Sequence, residues 1–120
     1  MNWILDKKRP LCPQICEQLC VMIAKGSVQA GERLMSVREV AVDAGVTPNT
    51  VQKSYELMER KGVIYSIRGS GWYVSENTQV ARKVLYDLVR SKTEAYLSDM
   101  RSLGLNKKEI LCQIGEVYDE

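Results

Sequence analysis

Apolar residues recur at helical spacing from Leu11 to Ala24. Ile15, Leu19, Met22 and Ile23 lie along one side, with Gln14, Glu17, Gln18 and Lys25 on the other, the pattern of a helix with one buried stripe. Gly26 is a stop signal. Ser27 to Leu34, with Ala30-Gly31-Glu32 inside it, reads as a connector. Ser36 followed by Glu39 forms a capping box and opens a short helix from Val37 to about Ala44, with Val37, Val40 and Ala41 inward. Gly45 breaks it. Thr47 as N-cap and Pro48 at the first helical position start the next helix, which runs to about Lys61 on a stripe of Val51, Tyr55 and Met58 before Gly62 ends it. The period then changes. Val63 to Ile67 reads as a strand, Arg68-Gly69-Ser70-Gly71 as a turn and Trp72-Tyr73-Val74 as the returning strand. Helical spacing returns from Gln79 to about Leu103 through Ala81, Val84, Leu85, Leu88, Ala95 and Met100. Gly104 interrupts it. Asn106 with Glu109 is a third capping box, and Ile110, Leu111, Ile114 and Val117 make the last stripe.

The predicted fold class is mainly α with one small β-hairpin. Composition narrows its chemistry. The 120 residues include no histidine, which excludes Ser-His-Asp and Cys-His catalysis and Cys₂His₂ zinc sites. No paired carboxylates and no base partner for a cysteine stand out, so a small enzyme built on carboxylates and thiols is the weaker alternative; no catalytic residue, metal site or cofactor is assigned. No apolar run is long enough to span a bilayer, and the basic Lys7-Lys8-Arg9 is not followed by an apolar core of signal-peptide geometry. The expected setting is therefore the cytoplasm, with reduced thiols. Cys12, Cys16 and Cys20 are spaced by four. On the helix, Cys12 and Cys16 fall within the apolar face and Cys20 at its edge. They read as core-facing thiols, with a thiol-responsive or soft-metal sensor as the sharper alternative.

A short helix, a glycine-containing turn and a second helix make the helix-turn-helix plan. Its second helix opens with Thr47, Pro48, Asn49, Thr50, Gln52 and Lys53, polar and amide groups suited to phosphates and base edges in a major groove. The hairpin follows where a winged helix carries its wing. On these blocks the chain resembles the GntR family of bacterial transcription regulators. The match begins at about Pro10, runs through Gly31-Glu32-Arg33-Leu34-Met35-Ser36-Val37-Arg38-Glu39-Val40-Ala41, Gly45-Val46-Thr47-Pro48-Asn49-Thr50-Val51 and Lys61-Gly62-Val63-Ile64, and ends on Arg68-Gly69-Ser70-Gly71-Trp72-Tyr73-Val74. The short tail is similar to the YtrA-like branch, in which two helices replace a large effector domain. The resemblance implies a winged helix-turn-helix with a C-terminal two-helix dimerisation tail. It places Arg38 and Ser36 at the first motif helix and Thr47, Pro48, Asn49, Thr50, Gln52 and Lys53 at the recognition helix. Arg68 and Gly69 fall at a wing tip that enters the minor groove. Arg33 stays open between a phosphate contact and a structural ion pair. The chain departs from the family pattern at Met35, where proline is usual, at Leu11, where tyrosine is common, and at Trp72, where a smaller residue is usual.

Residues 1–75 carry ten Lys+Arg against seven Asp+Glu, or +3, and residues 76–120 seven against eight, or −1; together they give the +2 of the whole chain. The expected division is a DNA-binding domain over 1–75 and a helical tail over 76–120. The tail's stripe of Val84, Leu88, Ala95, Met100, Ile110 and Ile114 needs a partner, and a second copy is the simplest. A twofold protein predicts a pseudo-palindromic operator. The function expected is repression of transcription by a homodimer on double-stranded DNA, with no membrane partner. The subfamily resemblance implies a target operon near the chain's own gene, often one for an ABC-type transporter. Any small-molecule effector would have to bind between tail and winged domain or at the dimer interface. A winged helix used for protein or RNA contact is the other alternative.

Overall fold

The structure is a computed structural model and describes residues 3–120. Five helices and two strands follow in the order α1 (Leu11–Ala24), α2 (Val37–Ala44), α3 (Pro48–Arg60), β1 (Ile64–Ile67), β2 (Gly71–Val74), α4 (Gln79–Ser102) and α5 (Lys107–Tyr118). The chain divides into two compact units, residues up to Tyr86 and Asp87–Glu120, and α4 runs through the division.

In the first unit the helix ends are set by local chemistry. Ser36 Oγ accepts from the Glu39 N–H at 3.1 Å and Glu39 Oε1 accepts from the Ser36 N–H at 3.3 Å, so two otherwise orphaned donors at the start of α2 are satisfied. Gly45 ends α2 with φ 69°, ψ 37°, a left-handed conformation that costs a side-chain-bearing residue about 1 kcal/mol or more. Thr47 caps α3, accepting from the Thr50 N–H. Helices α1, α2 and α3 enclose Ile15, Leu19, Ile23, Val40, Val51, Tyr55 and Met58, and Val63, Ile64 and Val74 close the base of the core. Burying each large side chain stabilises by roughly 1.5–3 kcal/mol. Tyr55 is fully buried, yet its hydroxyl is satisfied: it donates to the Met35 carbonyl at 2.7 Å. Trp72 meets the Tyr55 ring edge-on, centroids 5.4 Å apart, a favoured aromatic geometry. A tryptophan here thus covers the top of the core beside Met35.

Strands β1 and β2 are antiparallel, with Ile64 opposite Val74 and Ile67 opposite Gly71. The connector reading of Ser27 to Leu34 needs correction. Its end pairs with β2: Leu34 N–H donates to the Trp72 carbonyl at 2.8 Å, Val74 N–H to the Glu32 carbonyl at 2.9 Å, and Arg33 faces Tyr73 in a bridge. The wing therefore has a third, short extended edge.

Two assignments on α1 also change. Gln14 is buried, not solvent-facing. Its amide closes a clamp on the preceding segment, accepting from Asp6 N–H at 2.7 Å and donating to the Asp6 and Pro10 carbonyls at 2.9 and 3.0 Å. Cys20 is fully inside the core, Cys16 is buried beside it, and Cys12 is only half-buried. Cys20, at the edge of the apolar face by spacing alone, is covered by the segments that pack on α1.

In the second unit, Gly104 and Leu105 return hydrogen bonds to Arg101 and Met100 and reverse the chain. Asn106 and Glu109 form the expected capping box. Ile110 is buried, whereas Leu111, Ile114, Val117 and Tyr118 stay exposed. Leu97, Leu105, Ile110 and Ile114 line an apolar groove of about 400 Å³ between the two helices.

Candidate nucleic-acid interface

The first turn of α2 and the base of the wing enclose a cleft of about 300 Å³ lined by Arg33, Leu34, Ser36, Val37, Arg38, Gly71 and Trp72. Three predicted contacts, Arg33, Ser36 and Arg38, meet there. Arg33 is held by its backbone bridge to Tyr73, and its guanidinium lies flat over Gly71: a Cβ built on Gly71 would stand 3.1 Å from Arg33 Nε. A side chain there would crowd the guanidinium, and the φ of 139° at Gly71 is one that other residues rarely adopt. Arg38 is exposed one residue into α2. Ser36 is committed through its hydroxyl to the helix cap.

At the start of α3, Thr47, Asn49 and Lys53 are exposed, while Thr50 and Gln52 are half-buried. Asn49, Gln52 and Lys53 stand three and four positions apart, so they share one face of the helix. Thr47 and Thr50 share a hydroxyl–hydroxyl hydrogen bond of 2.9 Å, which ties the cap together. Pro48 sits at the first helical position, where its missing N–H costs nothing. Gln52 donates to Glu56 Oε1 at 3.1 Å, which orients the amide and leaves its second N–H and its carbonyl oxygen for a base edge. At the wing tip, Arg68 is exposed and Gly69 takes φ 79° with no heavy atom near its missing Cβ. The Ser70 N–H donates back to Ile67 at 2.9 Å, closing a four-residue turn that leaves Arg68 at its outer end.

One part of the surface escaped the sequence reading. Lys7 Nζ donates to the Gly45 carbonyl at 3.3 Å, in the turn between α2 and α3. Trp3 donates its indole N–H to Asp43 Oδ2 at 2.9 Å. The segment before α1 thus lies against the helix-turn-helix. The only signal for it in the sequence was a basic triplet before proline.

Cys16 and Cys20 are buried thiols of the core. Burial, reinforced by neighbouring Cys12 and only partly offset by the hydrogen bond with Ser54, pushes the Cys16 thiol up to about 12. Burial likewise pushes Cys20 up to about 11 against the opposing pull of Lys61. Both remain protonated, and a thiol is a poor nucleophile and metal ligand. Among the described residues no three potential metal ligands come together.

The predicted tail positions separate. Val84 is half-buried and packs against the winged core, behind the fully buried Ala81. Leu88 and Met100 are half-buried and Ala95 is exposed along α4. Ile110 and Ile114 come together in the groove of the second unit. No helix among the described residues is long and apolar enough to cross a membrane.

A helix-turn-helix with an N-capped second helix and an arginine-tipped wing defines the DNA-binding module of a transcription regulator. Residues 11–74, just over half the chain, match the model of the bacterial regulatory proteins of the gntR family, and the chain belongs to that family. It is 34% identical over 106 residues to the HTH-type transcriptional regulator YhcF of Bacillus subtilis, covering 88% of each chain. It is 43% identical over 70 residues to the HTH-type transcriptional repressor YtrA of the same bacterium, covering 58% of this chain and 54% of YtrA. Among solved structures, a GntR family transcriptional regulator from Listeria monocytogenes superposes with a TM-score of 0.84 at 33% identity, over 93% of this chain and 98% of that one. These relatives are transcription regulators, not enzymes.

Proposed function

We propose that this regulator acts as a repressor in the cytoplasm, where a homodimer occupies a pseudo-palindromic operator. The observation that carries the reading is the cleft joining Arg33, Ser36 and Arg38 to the wing base, beside a recognition helix whose open face carries Asn49, Gln52 and Lys53. In the complex, Thr47 to Lys53 enter the major groove. Arg68 and Gly69 follow the minor groove, where an arginine gains from the narrow groove's negative potential. Arg38 and Arg33 fix the register through phosphates and base edges, and the backbone around Ser36 approaches the strand. Repression is the activity of the similar YtrA, and a dimer that covers promoter DNA represses by exclusion. The exposed row Leu111, Ile114 and Val117 on α5 supports pairing with a second copy. Residues 1–75 read DNA, and within residues 76–120 the pairing surface lies from Asp87 onward, since Ala81 and Val84 pack on the winged core.

The test is duplex binding with DNA from the protein's own promoter region. A footprint with twofold symmetry is expected. Arg38→Ala and Arg68→Ala should each weaken binding by about 1–3 kcal/mol if the arginine reads a base. Unchanged affinity in both variants would overturn the assignment of these contacts.

A further inference from the structure

We infer that the segment Trp3–Pro10 is a second DNA-contacting element, a basic arm that grips phosphates flanking the recognition helix through Lys7 and Lys8. This rests on the DNA-binding reading above and extends its surface beyond residues 11–74, the stretch matched by the family model.

The arm is a built structure. Trp3 and Leu5 pack on the core. Gln18 holds Ile4 by both ends of its amide, accepting from the Ile4 N–H at 3.1 Å and donating to the Ile4 carbonyl at 2.7 Å. The buried Gln14 holds Asp6 in the same two-ended way. Two glutamines on one face of α1 thus fix a segment with no regular secondary structure of its own. The indole of Trp3 ties it to α2 through Asp43, and Lys7 ties it to the α2–α3 turn.

The charges on the arm divide. Asp6 takes up Arg9, Nε to Oδ2 at 3.2 Å. Lys7 and Lys8 remain, both exposed. The Lys7 ammonium has three donors, and its bond to Gly45 uses one. Gly45 lies two residues before Thr47, the cap of the recognition helix, so the ammonium stands at the mouth of the proposed major-groove element. The polyanion that this element would bind is the partner whose charge fits. A purely structural role for Lys7 also exists: it neutralises the carbonyl end of α2. The two roles differ in what salt does to them.

The experiment titrates the full-length protein with a fluorescent duplex of its own promoter region, and with a scrambled duplex of equal length, across a series of KCl concentrations. Each phosphate contact contributes about 0.9 to the slope of log K against log salt. Lys7→Ala/Lys8→Ala should therefore lower the slope by about 1.8 per protomer bound. It should weaken operator and scrambled duplex several-fold alike, because phosphates carry no sequence. If the double variant melts at lower temperature, Lys8→Ala alone decides, with an expected fall of about 0.9. An unchanged slope, or a loss confined to the operator, overturns the arm while leaving the DNA-binding reading intact. Failure of the unsubstituted protein to bind either duplex overturns both.

Discussion

Cys16 shows how a single side chain is shaped by what surrounds it. Its thiol donates to the Ser54 carbonyl at 3.3 Å, while Ser54 Oγ donates to the Thr50 and Cys12 carbonyls. A small polar pair therefore sits where α1 crosses α3, and it is fully bonded. The cost of ionising Cys16 there gives a pH signature. Its ordinary value is 9.0, and burial raises it to about 12. Below pH 9 the thiol is protonated in the folded and unfolded chains, and its contribution to stability is constant. Above that, the unfolded chain gives up its proton first, so stability falls with rising pH until about 12. Cys20 adds a parallel decline that ends near 11. Denaturant unfolding across the alkaline range should show this fall, and Cys16→Ala should make it shallower, leaving the part due to Cys20. Equal declines in both proteins would mean that the thiol is not held in the protonated form by the fold.

At the scale of elements, stability and recognition share the same caps. The Ser36 box both starts α2 and fixes the turn that presents Arg38. Ser36→Ala should cost about 1 kcal/mol and also weaken DNA binding, because a frayed first turn loosens the arginine. Asn106→Ala removes the equivalent box of α5 at a similar stability cost, with protection lost in α5 amides and none in α2. Hydrogen exchange on the two variants separates these effects; protection lost in α2 from both would contradict the local account. The caps also explain which elements were legible beforehand. Ser36–Glu39, Thr47–Pro48 and Asn106–Glu109 encode helix starts within four residues, and all three helices begin there. The extended edge Glu32–Leu34 was not legible because its partner, β2, lies about forty residues away and the edge is too short to show alternation. Gln14 and the arm it holds were missed for a related reason. Periodicity assigns an amide to solvent, whereas this one is consumed by backbone groups from outside the helix. Of the proposed interface, the start of α3 at Thr47–Pro48, the turn at Arg68–Gly71 and the place of Arg38 in the first turn of α2 were legible from residue type and order. The placing of Arg33 over Gly71 needed the sheet register.

For the whole molecule, the small charge of +2 leaves placement and multiplicity to supply affinity. A monomer of a helix-turn-helix protein reads one half-site, and a second linked reader adds binding without new chemistry by raising the local concentration of its partner. The second unit, Asp87–Glu120, is suited to provide that link. Two helices of this length bury too little surface for an independent core, and Leu111, Ile114 and Val117 are left in water around the groove that contains Ile110. Ile114→Glu places a charge in the middle of that row, at a residue that is not part of the winged unit's core. If the row pairs with its copy, the variant should sediment as a monomer at micromolar concentration and retain its helical circular dichroism. Its affinity for the full operator should fall by about a hundredfold or more, while affinity for an isolated half-site stays the same. A variant that remains dimeric would move the pairing surface elsewhere. Dimer loss with unchanged full-operator affinity would instead separate self-association from DNA recognition, leaving operator symmetry to be read by two independent protomers.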